Sequence, residues 1–332
     1  MQTKIGSLLL AIGLTIGLAV SWSATAQVTV LEGATVHPIS APAIENATVV
    51  IRDGLIEAVG TDIEIPADAT VVDLTGHQLY PGFVHPATQL GLTEISSVSG
   101  TVDTTEMGNI NAALNVEVAV NHDSQLLPAT IAGGVLSAHI IPGGGLIRGH
   151  SAVMNLEGWS WEEMVIHSAA GMHIAFPQGA VDDKDNDDLK TINRVLDQAR
   201  HWHQAKKASE ASGLPAPSRN DQLEALGPML DGEVPLMLHA NRYDSMEAAL
   251  DWAQDQGFNN VILVATPDAQ HIAERLAQDN VPVILKNVYA LPMRRHEAYD
   301  SSFVAPARLA EAGVKFAIAD ATGGMDVANA RN

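Results

Sequence analysis

The sequence predicts an α/β protein: a small N-terminal β domain, then a larger region in which strands and helices alternate. Two observations carry this expectation. Residues from Val28 to about Leu79 are rich in Val, Ile and Thr and punctuated by Gly, Asp and Asn, the composition of short strands joined by turns. From about Gly82, short apolar runs alternate with helical stretches, the βα rhythm of a parallel sheet or barrel. At 332 residues the chain is long enough for one large α/β domain or two ordinary ones.

The N-terminus reads as a targeting segment. Met1 to Lys4 is a short basic start, "IGSLLLAIGLTIGLAV" is uncharged and apolar, and "SATA" ends in small residues. Residues 1–26 are therefore expected to be a secretory signal peptide cleaved after Ala26, which implies a periplasmic or secreted protein. The alternative is an uncleaved membrane anchor, but the apolar run is at the short end for spanning a bilayer and the small-residue ending follows at once, so no membrane attachment is expected beyond the signal. The chain has no cysteine, which excludes disulfides, thiolate metal sites and a cysteine nucleophile. A formal charge of −21 argues against nucleic acid as a partner, because phosphate neutralisation needs Lys and Arg.

Residues 27–80 contain "VTVLEGATVHPI", "ENATVVIRDGLIEAVG" and "ATVVDLTGHQLYPGF", read as three or four short antiparallel strands. "RDG" (Arg52 to Gly54) predicts a hairpin turn. In the region 81–332, strands are expected at "GFVHPA", "GVLSAHIIP", "GMHIAF", "PLMLHA", "NVILVAT", "VPVILK" and "VKFAIAD". Helices are expected at "SMEAALDWAQDQG", "DAQHIAERLAQDN" and "APARLAEAG", each with apolar residues at helical spacing and Gly or Asn at its end. "DDKDNDD" (Asp182 to Asp188) lacks the glycine and closing glutamate of an EF-hand and reads as a solvated acidic loop before a long polar helix, roughly Leu189 to Ser212.

Five segments in order carry a family likeness: "DLTGHQLYPGFV", "LGLTEI" (Leu90 to Ile95), "IPGGGLIRGHSAVMNLEGWSWEEM" (Ile141 to Met164), "PLMLHANR" and "ARLAEAGVKFAIA". Together they resemble the amidohydrolase superfamily, in particular its exported branch related to imidazolonepropionase. The resemblance implies a TIM-like (β/α)8 metal-hydrolase barrel with a small N-terminal β-sandwich domain. It also implies hydrolysis of non-peptide carbon–nitrogen bonds in cyclic or small amides. Family members continue beyond the eighth strand to complete the β-sandwich; here "GGMDVANARN" follows it, so the C-terminal part is expected to be truncated and the β-sandwich incomplete.

In that family the first barrel strand reads P-G-[FIL]-[IV]-D-x-H-x-H. Side chains at i and i+2 of a strand point the same way, so two histidines can aim at one metal at the barrel mouth. The resemblance implies a divalent metal, zinc, whose bound water is activated as hydroxide. This chain departs from the pattern. His85 stands at the family's aspartate, and Ala87 and Gln89 stand at its two histidines. Alanine offers no lone pair, a carboxamide is a poor zinc ligand, and Pro86 removes a ladder N–H mid-strand.

His239 falls on the fifth-strand histidine ligand, Ala265 or Thr266 replaces the sixth-strand one, and Asp320 matches the eighth-strand aspartate that takes a proton. The ligand set is incomplete, so weak or absent activity is expected. A relocated metal site built from His85, His239 and Asp320 is the alternative. His139, His167 and His173 lie near other strand ends, where a lone histidine is ordinarily hydrogen-bonded or exposed, and His150 in its glycine-rich loop is read the same way. The expected partners are a small-molecule substrate or ligand, and either a second copy of the chain or a paralogous amidohydrolase subunit.

Overall fold

The computed structural model describes residues 28–183, 185–213 and 215–319. The predicted signal peptide and Asp320 lie outside the described residues. The chain divides into two compact units, the first ending at Pro81 and the second beginning at Gly82.

The first unit is a sheet of five strands: β1 (Val28–Val36), β2 (Ile44–Arg52), β3 (Leu55–Gly60), β4 (Thr70–Asp73) and β5 (Gln78–Leu79). Their order is β3-β2-β1-β4, with β5 also on β1. The predicted hairpin joins β2 to β3, where Asp53 (φ 51°) and Gly54 (φ 79°) both take the left-handed conformation of a tight two-residue turn. The expectation of antiparallel strands holds for β1–β2–β3 but not for β4 and β5, which pair with β1 in parallel. Among the described residues this is one sheet, not two facing sheets of a sandwich.

The second unit is built on eight strands: β6 (Phe83–Thr88), β7 (Val135–Ile140), β8 (Ile147–Asn155), β9 (Val165–Ala175), β10 (Leu236–Ala240), β11 (Val261–Ala265), β12 (Val283–Lys286) and β13 (Phe316–Ala319). They follow one another in sequence order around the sheet. The two end strands, β6 and β13, lie against each other without joining the ladder, so the barrel is nearly closed. The helices are α1 (Leu126–Ala132), α2 (Trp161–Met164), α3 (Asp187–Ser212), α4 (Asp221–Ala225), α5 (Gly227–Leu230), α6 (Tyr243–Asp255), α7 (Ala273–Gln278) and α8 (Ser301–Glu311).

All seven strands expected in this region are present; the eighth, β8, was hidden in the glycine-rich stretch. It runs antiparallel to both neighbours, a departure from an all-parallel (β/α)8 barrel. Its pairing with β9 slips at three places, one of them between Ile147 and Gly149. Gly149 has φ 104°, and a Cβ there would lie 2.6 Å from the Leu114 carbonyl oxygen, so only glycine suits the position. Bulges of this kind break the strict two-residue period that would have marked the strand.

Strand alternation divides the apolar side chains into two layers. Ala87, Ile141, Met237, Val264, Ile284 and Ala319 form a small cluster inside the barrel. Leu236, Leu238, Leu263, Ala265 and Leu285 face outward and pack with Met246, Ala249, Leu250 and Ala253 of α6 and with Leu276 and Leu309 of α7 and α8. The α6 residues recur at i, i+3, i+4 and i+7, the spacing that turns one helical face to the barrel. Leu236 and Leu238 are fully buried, each contributing roughly 1.5–3 kcal/mol. The acidic loop is exposed as expected, and its Asn186 caps α3 by accepting from the Asp188 and Leu189 N–H groups at 3.1 and 3.2 Å.

Candidate functional site at the barrel mouth

The inward-facing residue next after Met237 on β10 is His239, and the one after Ile284 on β12 is Lys286. On β9 the inward set is Gly171 and His173, a Cβ at Gly171 meeting Met237 Cγ at 2.5 Å. Across from them β8 contributes Arg148. These side chains converge. Arg148 Nη1 lies 3.3 Å from His239 Nδ1, and His239 Nε2 lies 2.8 Å from His173 Nδ1.

The chemistry of the donors determines the protons. A guanidinium only donates, so His239 Nδ1 accepts from Arg148. Burial, reinforced by Arg148 and Lys286, holds His239 well below the ordinary histidine range, so its ring is neutral at pH 7. Its one proton is therefore on Nε2 and is donated to His173 Nδ1. His173 is likewise held well below the ordinary range by burial, then by His139 and Arg148. It too is neutral, which leaves its proton on Nε2, a buried N–H with no acceptor among the described residues.

Lys286 is pushed down to about 8 by burial and by Arg148. Arg148 is lowered by burial, yet a guanidinium stays charged at any physiological pH. Both cations are partly exposed, and among the described residues no carboxylate offsets either of them. The buried Nε of Arg148 also has no acceptor among the described residues. The mouth is thus lined by two cations and two neutral imidazoles.

A catalytic zinc needs three ligand groups offering lone pairs. His239 has none left, since Nδ1 is taken by Arg148 and Nε2 carries a proton. Ala87 is fully buried in the inner apolar cluster, and the Gln89 carboxamide abuts Gly143. Two cations repel a third. The residues present do not fit the metal that the family resemblance implies.

Among the described residues, one group of three could converge on a cation: Asp268, His271 and Glu297, whose ligand atoms lie within 4.8 Å of one another. Neither His85 nor His239 belongs to it. Its charge is already answered by Arg294, which donates to Asp268 at 2.7 and 2.9 Å and to Glu297 at 2.6 Å.

The remaining candidates are placed as follows. His85 is buried on β6 with the side-chain direction of Ala87, deeper in the strand. His139 donates from Nδ1 to the Pro86 carbonyl at 2.9 Å, so its Nε2 accepts the Ser151 hydroxyl at 2.6 Å. This is the geometry of a nucleophile and its base, but Ser151 is 0% exposed and no substrate reaches it. His150 donates to the Ala225 carbonyl at 3.0 Å, and His167 is exposed on β9.

One expectation is corrected. Ala265 belongs to the outer layer, because it alternates with the inward-facing Val264. The mouth-facing parity at this strand end is that of Thr266, whose hydroxyl donates to the Asn241 carbonyl. Sequence reasoning also passed over Arg148 and Lys286. A cation at an inward position two residues beyond an apolar one was the available signal for Lys286; Arg148 had none, lying in a strand that went unrecognised.

No protein-family model matches the chain. A dihydroorotase from Mycobacterium tuberculosis (strain H37Rv) is 48% identical over 46 residues, 14% of this chain and 11% of the relative, so the match spans a small part of either protein. Among solved structures, an amidohydrolase from Thermotoga maritima MSB8 superposes with a TM-score of 0.75 at 25% identity, over 87% of this chain and 78% of that one. A second amidohydrolase gives a TM-score of 0.50 at 13% identity, over 89% and 78%, a likeness of fold. The solved structures this chain is similar to are amidohydrolase-superfamily members, and the chain has their α/β barrel fold, with eight strands nearly closed.

Proposed function

We propose that this chain is an amidohydrolase-fold protein whose barrel mouth does not hold the hydrolytic metal. It therefore binds a small molecule rather than hydrolysing the carbon–nitrogen bond of a cyclic or small amide. One observation carries the reading: both ring nitrogens of His239 are already engaged, one with Arg148 and the other with His173. The replacement of the H-x-H pair by Ala87 and Gln89 supports it independently.

The reading includes export, on the strength of the signal-like residues 1–26, and a role either as a homo-oligomer or beside a paralogous, catalytically competent amidohydrolase. Among the described residues no helix is long and apolar enough to cross a membrane. Elemental analysis of the purified protein after incubation with zinc tests the central claim. The expected result is zinc well below one equivalent, and unchanged in His239→Ala. Near-stoichiometric zinc that disappears in His239→Ala overturns it.

A further inference from the structure

Arg148 and Lys286 are the only described charged groups that the strand pattern and the mutual electrostatics bring together at the barrel mouth, and both carry the same sign. Partly desolvated cations that no carboxylate among the described residues offsets are costly, because each loses hydration that nothing described replaces. Elsewhere this chain pairs its buried or partly buried arginines: Arg294 with Asp268 and Glu297, and Arg275 with Asp251 and Asp279. Among the described residues, the mouth is the exception.

Arg148 is also aimed. Its contact with His239, which in turn is held by His173, anchors one edge of the guanidinium and leaves the buried Nε–H without an acceptor. A guanidinium oriented by a neutral imidazole keeps its full charge and its remaining donors for a ligand. An ammonium within electrostatic reach supplies the second contact.

We propose that the barrel mouth is a receptor for the oxyanion of a small molecule, a carboxylate or a phosphate group, held by Arg148 and Lys286, with His239 and His173 as positioning residues behind Arg148. The inference rests on the proposed absence of metal, since a divalent ion and these two cations compete for the same space. It names the ligand chemistry that two converging cations call for.

Calorimetric titration of the full-length purified protein with sodium phosphate and, separately, sodium malonate tests it, with sodium chloride at equal ionic strength as reference. The expected result is saturable binding in one or both arms; the arm that binds tells phosphate from carboxylate chemistry. Arg148→Met and Lys286→Met each weaken it by about ten- to a hundredfold, the loss of one charged hydrogen bond. The wild-type protein supplies a readout that needs no variant: affinity falls as pH rises through about 8, where Lys286 loses its proton. Saturable binding in neither arm, or binding indifferent to both variants and to pH, overturns the proposal. So does binding that appears only in Asp320→Asn, which would make the chain's own carboxylate the partner of the cations. Stoichiometric zinc lost with His239 would defeat the underlying reading as well, whereas a metal-free protein that ignores both anions defeats this inference alone.

Discussion

Lys286→Met is expected to stabilise the folded chain at neutral pH and to lose that advantage in base. Lys286 titrates at about 8 in the folded chain against an ordinary 10.5. Below pH 8 folded and unfolded chains both carry the proton, and the folded chain bears the whole penalty of a partly desolvated ammonium that no carboxylate among the described residues offsets. At 1.36 kcal/mol per tenfold change in proton affinity, that penalty is about 3 kcal/mol. Between pH 8 and 10.5 the folded chain releases its proton first, the unfolded chain binds more protons, and stability rises with pH. Methionine keeps most of the side-chain volume and removes the charge. Urea unfolding at pH 7 should therefore find the variant more stable by about 3 kcal/mol, and the gap should shrink to under about 1 kcal/mol at pH 10. An equal gap at both pH values would refute the reasoning, because packing does not titrate. A wild type more stable at pH 7 would refute it more directly, since it would require a counter-charge beside Lys286.

Three further outcomes are expected. Asp268→Asn should cost about 1.5–3 kcal/mol in urea unfolding, since it weakens charged hydrogen bonds from Arg294 and the Tyr243 N–H; burial alone would raise the Asp268 carboxyl, but those donors hold it below 3.8, so the cost should be full above about pH 4 and vanish as pH falls through the folded value. Gly149→Ala should destabilise by about 2–5 kcal/mol, from a left-handed backbone plus contact with the Leu114 and Asn111 carbonyls, and should weaken anion binding because Arg148 is the preceding residue; calorimetry and unfolding on one preparation check both. Ala87→His should cost about 1–3 kcal/mol by overfilling the inner cluster and should not raise zinc content, which elemental analysis reads directly.

The alternation of apolar runs and helices made the barrel legible, most plainly at β10, β11 and β12, whose short apolar runs are buried on both faces. β8 was not legible for a physical reason: Gly144, Gly145 and Gly149 all sit at positive φ, and such residues read as turns. That one omission concealed Arg148, the group that engages His239 across the mouth, since it belongs to β8. His239 was found, but as an isolated imidazole; nothing in "LMLHAN" says that its neighbours across the barrel are an arginine and a histidine. The doubt between Ala265 and Thr266 was a matter of strand parity, which a single apolar run leaves open because both faces of it are buried. Partnership between strands distant in sequence is where reading from local pattern stops.

The proposed exchange of a metal for two cations has an electrostatic logic. A divalent metal places two positive charges at the mouth of such a barrel, and Arg148 with a protonated Lys286 places about the same two. The attraction felt by an anionic ligand is therefore largely kept. What differs is the orbital chemistry. A metal ion with an open position accepts a lone pair from water and acidifies it, whereas a guanidinium and an ammonium have no acceptor orbital and can only donate hydrogen bonds. Substituting the second for the first separates two properties that a metal joins. On the proposed reading, ligand capture would survive at neutral pH while hydroxide generation would not, and the surviving property would acquire a pH limit near 8 that a metal site would not share. A pocket altered in this way selects ligands by charge and releases them unchanged.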